Sequence, residues 1–235
     1  MAKVTDQGLS GAVGNLVYYT LNGKKYVRAK PGKRKKKKGD KPNEYQAIFG
    51  KASRYGSAIT KELSNHFLFR FGLAPYNRMR GWIRDVYAVQ YKLTWEISAM
   101  NSGMCQLSNE TDLRDYFKAT IEVQDRGKGD IAIVLPVINP VLQLKVPAHT
   151  KKVNIKMIAI SSDFKSKTLI SGMASENYVF EYKNKLTTLP ESILHTKQGD
   201  IAIVAIGLEY EMADGLYNQE TRWLPAAAVA IGKMG

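Results

Sequence analysis

The chain has 235 residues, of which 44% are hydrophobic and 24% are charged, and its formal net charge is +14. This composition is typical of a globular protein and excludes collagen-like and low-complexity chains. No uncharged apolar run approaches the roughly 18 residues of a membrane-spanning helix. The single cysteine cannot form an internal disulfide, and the first ten residues lack the pattern of a secretory signal. We therefore expect a cytoplasmic protein, or one inside a particle assembled in the cytoplasm.

The positive charge is concentrated at the front of the chain. Residues 1–41 contain twelve Lys or Arg and two Asp or Glu, whereas residues 93–235 contain fifteen and sixteen. Such a concentration of cations costs electrostatic self-repulsion unless an anionic partner offsets it. The distribution predicts a polyphosphate or acidic-surface partner for the N-terminal segment.

Residues 11–31 are predicted to form a β-hairpin, because an Asn-Gly pair stands between two runs rich in β-branched and aromatic residues. A two-residue turn sets Tyr19 opposite Tyr26 and Val17 opposite Arg28, all on one face. Aromatic and basic side chains on one ribbon suit base stacking combined with phosphate contact. Tyrosines beside valines are also typical of a packed core, so both interpretations stay open.

The densest charge follows at residues 33–38, which are six consecutive Lys or Arg between Pro- and Gly-containing flanks. With no apolar residue to bury, this run is predicted to be a loop or linker. Each cation that neutralises a phosphate releases a condensed counterion, which gives salt-dependent affinity without sequence readout. A solvated spacer with no partner is the alternative. The candidate nucleic-acid-binding residues are Lys24, Lys25, Arg28, Lys30, Lys33, Arg34, Lys35, Lys36, Lys37, Lys38, Lys41 and Arg54, with Tyr19 and Tyr26 as candidate stacking residues.

Two amphipathic helices are predicted next, over residues 44–67 and 76–90. Their basic residues fall opposite the apolar stripes and are expected to face solvent. The apolar stripe of the first helix is Tyr45, Ile48, Phe49, Ala52, Ile59, Leu63 and Phe67, and the outward cations of the two helices are Lys51, Arg54, Lys61, Arg78, Arg80 and Arg84.

From about Lys118 the sequence changes to short β-rich runs separated by Pro, Gly, Asp and Asn. The predicted strands span 119–123, 131–137, 141–146, 153–161, 167–174, 178–182, 201–210 and 226–233. The resulting fold class is α+β: a basic N-terminal β-hairpin and two amphipathic helices, followed by an antiparallel β-sandwich of fibronectin- or immunoglobulin-like type. The expected domains are the hairpin and lysine-rich arm at 1–42, a helical segment at 43–117 and the sandwich at 118–235.

The hexapeptide Gly-Asp-Ile-Ala-Ile-Val occurs at 129–134 and again at 199–204. Flanking residues do not match at the same offset, which argues against a duplication. The repeat instead predicts two similar buried strands entered by the same turn.

The residues that carry chemistry are few, and we expect a non-enzyme without cofactor, metal site or catalytic residues. The three histidines lie far apart without zinc-ligand spacing, and Cys105 lacks a nucleophile context, so it is expected to be buried or half-buried. Glycines 8, 11 and 14 precede a strand, which contradicts a dinucleotide loop. Glu110, Asp112 and Asp115 fit either a cation site or a short capped helix.

The N-terminal signature Gly11-Ala-Val-Gly14-Asn15-Leu-Val-Tyr18-Tyr19, followed by Gly23-Lys24-Lys-Tyr26-Val27-Arg28-Ala-Lys30-Pro31, resembles that of a Bacteroidota protein family with a domain of unknown function. The resemblance implies an N-terminal hairpin, an amphipathic helix and a C-terminal β domain, and it implies no activity. The long lysine run and the middle strands depart from the family's pattern.

Two functions compete on these grounds. The first is a non-catalytic, sequence-nonspecific RNA- or DNA-associated protein that uses the basic arm. A larger assembly, such as a particle, a phage or a ribosome-associated complex, is one setting for this function. The second is a self-assembling protein-protein interaction module in which the N-terminal hairpin pairs with a neighbour's sheet edge. A homo-oligomer or larger assembly is compatible with both, and no membrane partner is expected.

Overall fold

In a computed structural model of the chain, the described residues are 3–5, 8–21, 24–32, 44–90, 104–163, 169–199 and 201–233. They combine α-helices with antiparallel sheets, which confirms the α+β class with a β-rich part. The chain divides into two compact units, residues 1–42 and residues 43–235. Residues 43–117 and 118–235, which differ in sequence character, lie in the same unit. No helix in the described ranges is long and apolar enough to cross a membrane.

The first unit is a four-stranded antiparallel sheet in which each strand pairs with the next in sequence. The predicted hairpin is confirmed in its register, since Tyr19 pairs with Tyr26 and Val17 with Arg28. Two further strands precede it. Gly14, with a φ of +54°, permits the tight turn that joins the hairpin to the strand directly before it, and this turn was not predicted. The strands are β1 (Lys3–Thr5), β2 (Gly8–Val13), β3 (Leu16–Leu21) and β4 (Lys24–Ala29).

The second unit begins with helices α1 (Glu44–Ser64) and α2 (Leu73–Gln90), which confirms both predicted helices apart from their ends. The apolar stripe of α1 is buried from Ala52 onward, and Tyr55 belongs to it. Phe49 was expected in this stripe, but its side chain is 56% exposed. Periodicity shows which side chains share a face of the helix. It does not show how much of that face is covered by the rest of the protein.

The β-rich part contains two antiparallel sheets. One has the strand order β5-β12-β11-β8-β9 and the other has the order β10-β7-β6. The strands are β5 (Cys105–Gln106), β6 (Glu122–Gly127), β7 (Asp130–Val134), β8 (Thr150–Ser162), β9 (Gly172–Glu181), β10 (Ser192–His195), β11 (Ile201–Met212) and β12 (Ala226–Lys233). Two short helices, α3 (Leu113–Tyr116) and α4 (Pro140–Gln143), complete the unit together with a 3₁₀ turn at Thr221–Trp223.

One predicted strand is wrong, and two others are parts of a single strand. Residues 141–146 were expected to be a strand, but α4 occupies the first half of them because the Asn139 side chain accepts the Val141 N–H and Pro140 stands in the first turn. The runs 167–174 and 178–182 are not separate strands, since β9 is continuous across the gap between them; residues 164–168 lie outside the described part. Strand β10 was not predicted.

Strand β11 is the centre of the second unit, because both of its faces are buried. Its residues Ala202, Val204 and Ile206 pack in a core that includes side chains of the three-stranded sheet. Ile201 and Ile203 pack in a second core formed with α1 and α2. The unit is therefore layered as small sheet, large sheet and helices. The fibronectin- or immunoglobulin-like sandwich stays a prediction.

The repeated hexapeptide enters β7 and β11, and both strands are buried as predicted. The shared turn is wrong, because only one of the two glycines has a positive φ. Gly129 has a φ of +94°, a conformation that favours glycine. Gly199 has no such φ, and a Cβ there would lie 2.8 Å from the backbone oxygen of Ser162. A Cβ at Gly129 would also lie 2.4 Å from the Thr196 carbonyl oxygen. Both glycines therefore permit a close approach between chain segments, and Gly129 in addition provides the backbone angle of a turn.

Candidate nucleic-acid interface

One face of the N-terminal sheet combines cations with aromatic rings. Along β4, Lys24, Tyr26 and Arg28 are two residues apart and therefore share a face. Tyr19 of β3 joins this face because it pairs directly with Tyr26. Val17 of β3 also joins it, opposite Arg28. The structure thus brings together two candidate phosphate contacts and both candidate stacking residues.

The aromatic pair has the geometry of a stack. The ring centroids of Tyr19 and Tyr26 are 5.6 Å apart with an interplanar angle of 20°. The guanidinium carbon of Arg28 lies 5.7 Å from the Tyr19 centroid, within the range of a cation–π contact. The two tyrosines are 38% and 41% exposed, so this pair is not a buried core. The arrangement leaves aromatic surface and a guanidinium accessible to a ligand at the same place.

No carboxylate competes for these cations among the described residues of the first unit, whose sequence there contains neither Asp nor Glu. Lys24, Arg28 and Lys30 are all exposed. The backbone N–H of Lys30 donates to the carbonyl of Asn15 at 2.6 Å, which extends the pairing of β4 by one residue beyond its end. The sheet therefore holds the base of the cationic arm in a defined backbone geometry.

Not all predicted contacts lie on this face. Lys25 pairs with Thr20 and belongs to the opposite face, beside Val27. Arg54 is exposed on α1 in the other unit. The remaining candidates, Lys33, Arg34, Lys35, Lys36, Lys37, Lys38 and Lys41, lie outside the described residues.

The opposite face of the sheet is apolar. Val13 pairs with Leu16, and Tyr18 pairs with Val27, so these four side chains lie on that face. Val13 is 48% exposed and Val27 is 54% exposed. The two faces of the same small sheet therefore offer different chemistry. One carries the stacked rings with Lys24 and Arg28, and the other is mainly aliphatic, with Tyr18 and Lys25 also on it.

The three arginines of α2 were expected to face solvent. Arg78 and Arg84 are exposed as expected, but Arg80 is half-buried, and Arg78 is held by hydrogen bonds. Arg78 donates from Nε to the Gln106 carbonyl at 2.9 Å and from its terminal nitrogen to the Ser108 carbonyl at 2.6 Å, which ties α2 to β5. Arg80 lies half-buried between the helices and donates to the Ser53 hydroxyl. Their charges support packing within the second unit and do not form a free phosphate-binding surface.

The acidic residues between 110 and 115 lie in or just before a short capped helix, α3. The carboxylate of Asp112 accepts the Arg114 backbone N–H at 2.9 Å and caps α3. Hydrogen bonds from the Arg114 side chain lower the pKa of Asp112. Gln106 donates to the same carboxylate at 2.7 Å. These contacts use the oxygens that a cation would need, and the helix interpretation of this run is confirmed.

Two of the three histidines, all of which lie in the described ranges, sit next to carboxylates as isolated pairs. His195 Nδ1 lies 2.8 Å from Asp130, and His66 Nε2 lies 3.7 Å from Glu62. Within the part of the chain that the structure describes, no group of three His, Cys, Asp or Glu residues could hold a metal ion.

Cys105 is buried on β5, as predicted, and is packed against the helices. Burial raises the pKa of its thiol to about 11, against a smaller opposing effect of Arg78. At pH 8 the thiolate fraction is then about 10²-fold lower than for an ordinary thiol.

We expect Cys105 in the native chain to react with a thiol reagent at pH 8 at least about 10²-fold more slowly than in the chain unfolded in guanidinium. Because the chain has one cysteine, colorimetric detection of the released thiolate reports on this site alone. Equal rates in the two states would contradict both the burial and the raised pKa.

Comparisons with protein-family models, with curated proteins and with solved structures found no match to this chain. The resemblance to the Bacteroidota family stays a prediction.

Proposed function

We propose that the protein is a non-catalytic, nucleic-acid-associated structural or binding protein of the cytoplasm, or of a particle assembled there. Its lysine-rich arm binds RNA or DNA phosphates without sequence preference, and the face of the N-terminal sheet that carries Tyr19 and Tyr26 contacts bases. The β-rich unit, proposed as a fibronectin-like sandwich, is the scaffold.

The observation that carries this proposal is the face with stacked tyrosines, Lys24 and Arg28, and no carboxylate among its described neighbours. Proteins that bind single strands without sequence preference combine such aromatic platforms with cationic grooves that follow the backbone. The six consecutive cations that follow this sheet in sequence extend the same chemistry.

The first test is whether nucleic acid co-purifies and whether its binding depends on salt. Protein prepared without nuclease is expected to show a raised absorbance ratio at 260 and 280 nm. In filter binding with a 20-nucleotide RNA and its DNA equivalent, the logarithm of affinity should fall linearly with the logarithm of salt concentration. Retention of neither nucleic acid at about 50 mM salt would refute the proposal.

Replacing both tyrosines of the stack should weaken single-strand binding without changing its salt dependence. We expect the variant Tyr19→Ala/Tyr26→Ala to lose about 10- to 100-fold in affinity, because base stacking contributes about 1–3 kcal/mol per base. The salt slope should stay constant, since no phosphate contact is removed. Fluorescence anisotropy with a labelled oligonucleotide measures both quantities.

The matched control is Tyr18→Ala, which removes the same kind of side chain from the opposite face of the same strand. Tyr19→Phe/Tyr26→Phe, which keeps the rings, should bind as the unmodified protein does. An equal loss in Tyr18→Ala would mean that the substitutions act through the stability of the sheet and would contradict a base-contacting role.

The second candidate function is self-assembly through the N-terminal sheet, and the aliphatic face favours it. Val13, Leu16 and Val27 are 48%, 41% and 54% exposed. A small sheet with an exposed apolar face gains stability when a second copy covers that face. The edge strands β1 and β4 could also pair with a neighbour.

The variant Leu16→Ser/Val27→Ser separates the two functions because it leaves every cation in place. If light scattering shows that an oligomer dissociates while oligonucleotide binding persists, self-assembly is a distinct function of this sheet. If the oligomeric state is unchanged and binding persists, the second candidate is refuted and the first is retained.

A further inference from the structure

The second unit contains a cleft where the end of α1 approaches the start of α2. Its volume is about 430 Å³, which falls within the range of small-molecule sites. Two cations line it, Lys61 from the last turn of α1 and Arg70 from the segment before α2. Both are exposed, and neither has an ion-pair partner in the described part of the chain. This pair carries net positive charge that no described side chain neutralises by an ion pair.

Two of the remaining polar side chains of the cleft, Ser64 and Asn65, can donate hydrogen bonds, whereas the Thr60 hydroxyl already donates to the Gly56 carbonyl. The Ser64 hydroxyl oxygen accepts the Phe71 backbone N–H at 3.2 Å, which leaves its O–H available as a donor. The amide of Asn65 is exposed at the rim. No carboxylate lines the described wall of the cleft. A site rich in donors and cations and without carboxylates favours an anion over a cation or a neutral ligand.

Two aromatic rings give the cleft an apolar side. Phe71 is held by its neighbours, with ring centroids 5.7 Å from Phe67 and 5.3 Å from Phe69. Tyr76 is held by Arg80, whose guanidinium carbon lies 5.5 Å from the Tyr76 centroid. Rings fixed in this way form a pre-organised surface for a planar group beside the two cations.

We propose that this cleft binds a nucleoside monophosphate unit, with Lys61 and Arg70 on the phosphate and with Phe71 and Tyr76 against the base or sugar. An ammonium and a guanidinium match a phosphate in charge, and hydroxyl and amide donors add directed hydrogen bonds. The nucleoside monophosphate is either a free nucleotide or the 5′ end of a nucleic acid. The inference is independent of the N-terminal arm, since every residue that carries it belongs to residues 43–235.

The test is calorimetric titration of the full chain with adenosine 5′-monophosphate at about 0.1 M salt, where unspecific attraction between exposed charges is largely screened. The variant Lys61→Ala/Arg70→Ala should lose about tenfold or more in affinity. The control Lys118→Ala/Lys151→Ala removes the same charge from two other exposed positions and should bind as the unmodified chain does. Adenosine and inorganic phosphate should each bind more weakly than the nucleotide, because each lacks one half of the ligand.

A second variant, in which residues 35–38 are replaced by serine, separates this proposal from that of the arm. It should lose polynucleotide binding and keep nucleotide binding, whereas Lys61→Ala/Arg70→Ala should show the reverse. Competition by the 5′-phosphorylated dinucleotide pApA supports a chain end as the ligand, and its failure to compete supports a free nucleotide. Equal affinity of the Lys61→Ala/Arg70→Ala variant and its control, or no nucleotide binding at about 1 mM, would overturn the proposal.

Discussion

Serine substitution of Lys35, Lys36, Lys37 and Lys38 is expected to lower oligonucleotide affinity about 10³-fold at about 0.1 M salt, because each phosphate contact releases about 0.7 counterions from a single strand and about 0.9 from a duplex. At that concentration each phosphate contact contributes a factor of about five to eight, and four such contacts multiply to about 10³. The slope of log affinity against log salt should become shallower by about three to four. Filter binding across a salt series measures both changes.

The matched control replaces the same four lysines with arginine, which keeps the charge and changes the donor geometry. It should keep the salt slope of the unmodified chain. The midpoint of thermal unfolding should be the same in both variants if the run contributes to binding and not to the fold. A serine variant whose affinity and slope equal those of the arginine variant would show that residues 35–38 form a solvated spacer, and the arm would then have no role in binding.

The sequence predicted the hairpin register well because a two-residue Asn-Gly turn leaves few alternatives. Once the turn is assigned, Tyr19 must face Tyr26, and the observed pairing agrees. The shared face of the stack and Arg28 follows from the same register. That part of the candidate site was predictable because it depends on local geometry alone.

The hydrogen bonds that the α2 arginines make were not predictable from the spacing of these residues. Helical periodicity places Arg78 on the polar side, but it does not show that β5 and the segment after it present the carbonyls of Gln106 and Ser108 there. A long side chain can reach a neighbouring element from the edge of a polar face and satisfy its backbone. Such contacts depend on tertiary placement, and this region therefore has less free positive charge than helical periodicity predicts.

The cleft was missed for a related reason. Lys61 and Arg70 are separated by a bend between two helices, and neither belongs to a recognised phosphate motif. The available signal was the spacing of Phe67, Phe69 and Phe71 in the connection between the helices. An aromatic cluster next to cations can be searched for in connections between helices. It indicates a binding site only when the fold brings these residues around one cleft.

Replacing Gly207 with alanine is expected to lower the free energy of unfolding by about 1–3 kcal/mol, the usual cost of adding a methyl group to a filled core. Gly207 lies in β11, and a Cβ there would come within 2.4 Å of Cε1 and 2.9 Å of Cδ1 of Phe67. Phe67 is only 8% exposed and packs against Phe69 and Phe71, so its ring has little room to move. The larger Gly207→Val substitution should cost about 3 kcal/mol or more.

The matched control is Gly50→Ala, because a Cβ at Gly50 meets nothing within 4 Å and alanine favours the helix that contains it. This variant should be as stable as the unmodified chain, or more stable by up to about 1 kcal/mol. Denaturant unfolding followed by circular dichroism measures all three variants.

Combining Gly207→Ala with Phe67→Leu should recover part of the lost stability if the clash is the cause, since the smaller side chain vacates the space that the methyl group needs. If Gly207→Ala were as stable as Gly50→Ala, the close packing of β11 against the aromatic cluster would be contradicted. The same displacement of Phe67 would shift Phe71 at the wall of the cleft, so Gly207→Ala is also expected to weaken nucleotide binding while both phosphate-binding cations remain in place.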